Sequence, residues 1–114
     1  MVDINLDRAL NSNINNISNA ESNEKIKQIV LGKLDGIYLV ANKNNNNYLS
    51  KEINIIKKEL GNKHIVSDDD LQFVVQRLHI LNKHIKNGMM EFENEQGIPE
   101  TLLNMEKDIN QKIN

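Results

Sequence analysis

Aliphatic residues recur at helical spacing in four successive stretches of this 114-residue chain, and no stretch shows the two-residue alternation of a half-buried strand. Every segment able to bury an apolar face would do so as a helix, so the expected class is all-α, a small bundle of about four helices. The core must be aliphatic, because aromatic residues make up only 4% of the chain.

The first stretch carries Ile26, Ile29, Val30, Leu34 and Ile37 at i, i+3, i+4, i+8 and i+11. Ser18-Asn19-Ala20-Glu21 ahead of it has capping-box spacing. Gly32 and Gly36 weaken this helix by about 1 kcal/mol each relative to alanine. Ile37-Tyr38-Leu39-Val40 could be read as a strand, but no second strand with turn chemistry is available to pair with it. Ser50 is a cap for the second helix, whose inner stripe is Ile53, Ile56 and Leu60, and Gly61-Asn62 supplies a left-handed stop.

Val66-Ser67-Asp68-Asp69-Asp70-Leu71 is the best-specified boundary. Ser67 is the N-cap, Asp70 takes the capping-box position, and three acids face the positive end of the helix dipole. The third helix runs through Leu71, Val74, Val75, Leu78, Leu81 and Ile85, with Phe73 and Ile80 adding a second apolar side. Asn87-Gly88 can end it, although Met89 and Phe92 continue its spacing. Gly97-Ile98-Pro99 opens the fourth helix, with Leu102, Met105, Ile109 and Ile113 as its stripe and Leu103 beside it.

Residues 1–22 are rich in Asn and Ser, which compete with the helix backbone for hydrogen bonds. Val2, Leu6, Leu10, Ile14 and Ile17 still form a sparse stripe. The expected organisation is a flexible amino-terminal arm over 1–22 and one helical domain over 23–114. The amino terminus has no basic region or apolar run of the Sec type, and no run is long enough to span a membrane. The expectation is a cytoplasmic protein, or one exported without a Sec signal. Cysteine is absent, which removes thiolate chemistry and disulfides. A net charge of -2 with no basic field makes nucleic acid an unlikely partner.

Asn42, Asn44 and Asn46 alternate ahead of Tyr48, Leu49, Ser50 and Glu52. With Leu49 as the apolar eighth position, this segment resembles a degenerate EF-hand loop, and the resemblance extends over about residues 26–60. It implies a helix-loop-helix with Asn42, Asn44, Asn46 and Ser50 as oxygen ligands. Asn47 stands where the family has glycine, Ile53 holds the twelfth position, and Glu52 comes one residue early. With neutral amides in place of aspartates, the loop lacks the charge that calcium needs, and no metal site is favoured. Lys83–Glu91 would be its paired hand, with Gly88 at the turn and no early acid. The amino-terminal arm is similar in composition to the export leaders of type III secreted proteins.

His79 and His84 lie about 140° apart on a helix and do not share a face, and His64 falls in a loop. Asp68-Asp69-Asp70 is accounted for by capping. No phosphate loop, nucleophile-base spacing or HExxH occurs, so neither an enzyme nor a cofactor is expected. A DNA reader built on Gln72, Gln76, Arg77 and Lys83 would carry its three aspartates at the end nearest phosphate. The favoured function is binding another protein, as a chaperone, regulator or inhibitor, with a bacterial secretion system as one setting for it. Met89, Met90, Phe92, Leu102, Met105 and Ile109 are the candidate partner-binding residues, and a homo-oligomer is also conceivable. The alternatives are a divalent-ion-responsive EF-hand-like protein and a DNA-binding regulator.

Overall fold

The computed structural model describes residues 2–88 and 97–114, with side chains placed from residue 19 onward. Four helices follow in order: α1 (Val2–Lys43), α2 (Asn47–Gly61), α3 (Asp68–Lys86) and α4 (Gly97–Ile113). No strand occurs among the described residues. The protein is all-α, with an amino-terminal arm that continues the first helix.

At 42 residues, α1 is more than twice the length of any other helix. A rise of about 1.5 Å per residue makes it roughly 63 Å long, nearly the whole 65 Å extent of the molecule. It passes through Ser18–Glu21 without a break, so the capping-box spacing there does not start a helix. Extending an existing helix adds one hydrogen bond for each residue fixed, while nucleation has no such return, so poor helix formers can continue a helix they would not begin. Asn19 and Asn23 are the first of the described side chains to reach α3 and α4.

The helices alternate in direction. Lys57 of α2 pairs with Asp35 of α1 at 2.6 Å and lies 4.6 Å over the Tyr38 ring. Asn82 of α3 donates to the Leu102 carbonyl at 3.2 Å, while Asp68 at the other end of α3 meets Lys112 at 3.3 Å. These pairs fix α1–α2 and α3–α4 as antiparallel hairpins, and the closest backbone packing lies within each hairpin. Charged and polar pairs stitch the α2–α3 seam: Arg77–Glu52 at 3.4 Å, Lys63–Asp70 at 3.7 Å, and the Tyr48 hydroxyl with His84 Nδ1.

The stripes meet in one core. Leu34, Leu49, Ile53, Leu71, Leu78 and Leu102 are fully buried, and each such side chain contributes about 1.5–3 kcal/mol. On α1 the buried face runs through Asn23, Val30, Leu34, Ile37 and Ala41, with Ile26 at its edge. Ile29, placed on the stripe by spacing, is turned outward and 59% exposed. Ile80 is likewise solvent-facing at 46%, so of the second apolar side of α3 only Phe73 packs against the core, partly buried.

Helix ends follow their chemistry, with some displaced by a few residues. Ser67 caps α3 with both capping-box bonds present: its Oγ accepts the Asp70 N–H at 3.1 Å, and Asp70 accepts the Ser67 N–H at 2.9 Å. The cap of α2 is Asn46, not Ser50; Asn46 Oδ1 accepts the Leu49 N–H at 3.3 Å. Asn45 takes the left-handed turn position, φ 60°, while Asn47 is already helical. Gly88, φ 74°, stops α3 in the left-handed conformation that glycine adopts without strain. Gly61 needs no such conformation, because Asn62 closes α2 with an ordinary right-handed turn.

Candidate protein-docking clefts

The α1–α4 seam is as thin as α2–α3 but more apolar, and it opens into a cleft of about 170 Å³. Ile26, Ile29 and Val30 come from α1, and Met105 and Ile109 from α4. Their positions follow from helix period: 26, 29 and 30 occupy adjoining turns on one side of α1, and 105 and 109 are one turn apart on α4. Met105 and Ile109 are buried and form the floor, while exposed Ile29 forms a lip. Lys33 and Asp108 stand at the rim with opposite charges.

A second groove follows the outer face of the α3–α4 hairpin. Glu106 is fixed there by Asn82, which donates Nδ2 to Oε1 at 2.9 Å, and by His79 Nδ1 at 3.0 Å from Oε2. Ile80 and Leu103 flank this cluster in the open, on α3 and α4 respectively. His84 turns toward α2, where its ring lies 5.7 Å from that of Tyr48. The two histidines thus address different neighbours, as their spacing requires. His64 is exposed in the α2–α3 connection.

At the bundle's far end, Asp68 accepts from Asn23 at 3.0 Å and from Asn19 at 3.2 Å, beside Lys112. These partners hold the Asp68 carboxyl below its ordinary range; the Asn23 hydrogen bond is the largest cause, followed by that of Asn19, with Lys112 adding to them. The Tyr48 hydroxyl is pushed up, mainly by loss of solvent and then by Glu52.

Of the residues expected to meet a partner, Leu102, Met105 and Ile109 belong to the core, packed beneath the surface rather than displayed on it. The stripe of an amphipathic helix is used up by its own bundle once neighbours are available. Met105 and Ile109 still reach the cleft as its floor. Leu103, beside the stripe, is the exposed residue at 57%. Met89, Met90 and Phe92 lie outside the described residues. Ile29 carried no functional expectation, and an i+3 spacing that overshoots the core face was its only signal.

The Asn-rich connection is short, since α1 runs to Lys43 and α2 begins at Asn47. Asn42 sits in the last turn of α1. Asn44 donates to the Val40 carbonyl at 3.0 Å, Asn46 caps α2, and Ser50 donates to the Asn47 carbonyl at 3.1 Å. Three of the four candidate ligands are therefore engaged with nearby backbone. No group of three or more acidic, His or Cys side chains is placed to hold a metal ion among the described residues, and no described helix is long and apolar enough to cross a membrane.

No protein-family model, curated protein or solved structure matches this chain.

Proposed function

We propose that the protein is a helical binding module that holds another protein, as its chaperone, regulator or inhibitor, by seating an amphipathic helix of that partner along the α1–α4 cleft. The observation that carries this reading is the cleft itself: an apolar floor of Met105 and Ile109 between helices in sparse contact, with Ile29 exposed at the lip. Helix-in-groove recognition uses such a surface, reading one or two large apolar anchors of the incoming helix. Methionine at the floor adapts to anchors of different shape because its thioether chain has three rotatable bonds. Lys33 and Asp108 fix the polarity, favouring a partner with an acid near Lys33 and a base near Asp108.

Photo-crosslinking in the host organism tests the proposal. A photoreactive residue at position 29 is expected to give a discrete adduct with a second protein, and the same residue at exposed position 59 on α2 is not. Met105→Gln, which makes the floor polar, is expected to reduce the adduct at position 29. Equal labelling from both positions, or none from position 29, would overturn the docking site.

A further inference from the structure

We infer that the outer face of the α3–α4 hairpin is covered by a second copy of this chain, in a two-fold dimer whose axis runs parallel to the hairpin. The α1–α4 cleft is not involved, so this inference stands independently of the proposed function. Ile80 on α3 and Leu103 on α4 are large apolar side chains left open on that face, 46% and 57% exposed. Between and beside them the groove remains unfilled, with spaces of about 630 Å³ and about 590 Å³ on either side of the His79–Glu106 pair.

The distribution of charge argues for a copy of the same chain. Lys83 and Lys86 line the groove from α3, and Glu100 and Glu106 line it from α4. Among the residues lining this groove, the α3 side is basic and the α4 side acidic. Register is set by His79 against Glu106 and Asn82 against the Leu102 carbonyl. At about 1.5 Å per residue, this brings Lys86 level with Glu100, and Ile80 within about one helical turn of Leu103.

A two-fold axis along the hairpin lays α3 of each copy on α4 of the other at the same level. Lys83 and Lys86 then face Glu100 of the second copy, and Ile80 faces its Leu103. Symmetry repeats each pairing, as an isologous interface requires. A two-fold axis across the hairpin would instead stack α3 on α3 and bring neither pairing together. Helices of 19 and 17 residues side by side offer a face of roughly 28 by 20 Å. That is somewhat less than the ~800 Å² per partner of a standard interface. The dimer should therefore be concentration-dependent.

Sedimentation equilibrium of the full chain from about 5 to about 500 μM tests this, a range that brackets micromolar dissociation. The wild type is expected to pass from monomer to dimer across it. Lys86→Glu and Glu100→Lys, read separately, should each raise the dissociation constant about tenfold, through two reversed pairs per dimer. An equimolar mixture of the two variants should form a heterodimer tighter than either variant homodimer, because both 86–100 pairs then carry opposite charges. Contacts within one chain cannot produce that recovery. Ile80→Asp should be monomeric throughout, and Leu103→Asp repeats the test from the other helix. Thermal melts confirm that each variant is folded. A wild type monomeric at the highest concentration, or a mixture no tighter than its components, would overturn the dimer.

Discussion

Asn23 of α1 donates its side-chain amide to the Val66 carbonyl at 3.0 Å, across 43 residues of chain. The same amide reaches Asp68 Oδ1 at 3.0 Å, so one side chain ties the root of the long helix to the entry of α3. Asn23 is fully buried, and Val66 nearly so. Asn23→Ala leaves a buried carbonyl without its donor, a loss of about 1–3 kcal/mol. For a domain of this size each kcal/mol lowers the melting temperature by about 4–8 °C. Calorimetry should show a drop of several degrees; an unchanged melting temperature would mean that Asn23 does not hold the junction.

Acid should release the same junction. The folded-state pKa of Asp68 lies below its ordinary value of 3.8. The native state therefore favours the carboxylate, and the associated stability is complete above the unfolded pKa. It is lost as pH falls through the lower, folded pKa. Melting curves of wild type and Asp68→Asn should differ most near neutral pH, with the wild type more stable, and converge on acidification below about pH 4. A gap that stays constant with pH would show that the ionised carboxylate is not the stabilising species.

Leu102 and Leu103 are neighbours in sequence with opposite surroundings. Leu102→Ala removes buried atoms from the centre of the bundle and should cost about 2–5 kcal/mol. Leu103→Ala lies on the surface and should fall within about 0.5 kcal/mol of wild type at dilution. Urea unfolding of both variants reads the contrast directly, and similar losses for the two would contradict the placement of α4.

The turn between α1 and α2 makes a third kind of demand, on backbone conformation. Asn45 holds φ at 60°, which costs little for asparagine and nothing for glycine. Asn45→Gly should leave the melting temperature nearly unchanged, while Asn45→Val should lower stability by about 1–2 kcal/mol. Calcium provides a companion measurement. With Asn44, Asn46 and Ser50 engaged at the turn and the first turn of α2, millimolar calcium should leave the wild-type melting temperature in place. A rise would show ligand-linked stabilisation and restore the ion-binding alternative.

The four helices could be read from sequence wherever several local signals agreed. At Ser67–Leu71, the cap, the acids and the apolar stripe all specified the same start, and both capping-box bonds form. The α1–α2 turn was harder, because successive asparagines are nearly equivalent as caps and as left-handed residues. In the fold Asn46 takes the cap and Asn45 the left-handed position. Asn23 gave no sign of being buried, since an Asn-rich chain hides one important amide among many. Ala41 is too small to mark a stripe, and Ile29 is large enough to suggest one it does not join. Function was least legible on α4, where periodicity identified an apolar face but could not say whether the bundle or a partner would cover it.

A bundle made of two hairpins, joined along one polar seam and one sparse apolar seam, has a preferred direction of yield. Helices packed closely within each hairpin must move together, whereas sliding between hairpins disturbs few close backbone approaches, the ion pairs of one seam and the side chains of the shared core. Small shear displacements of this kind are one of the ways in which packed helices move. The α1–α4 cleft lies on one of the two sliding lines, so its width is a coordinate of the whole molecule. A helix entering between Ile29 and Met105 would wedge the hairpins apart, and the strain would be carried to the Tyr48–His84 and Arg77–Glu52 pairs on the opposite side.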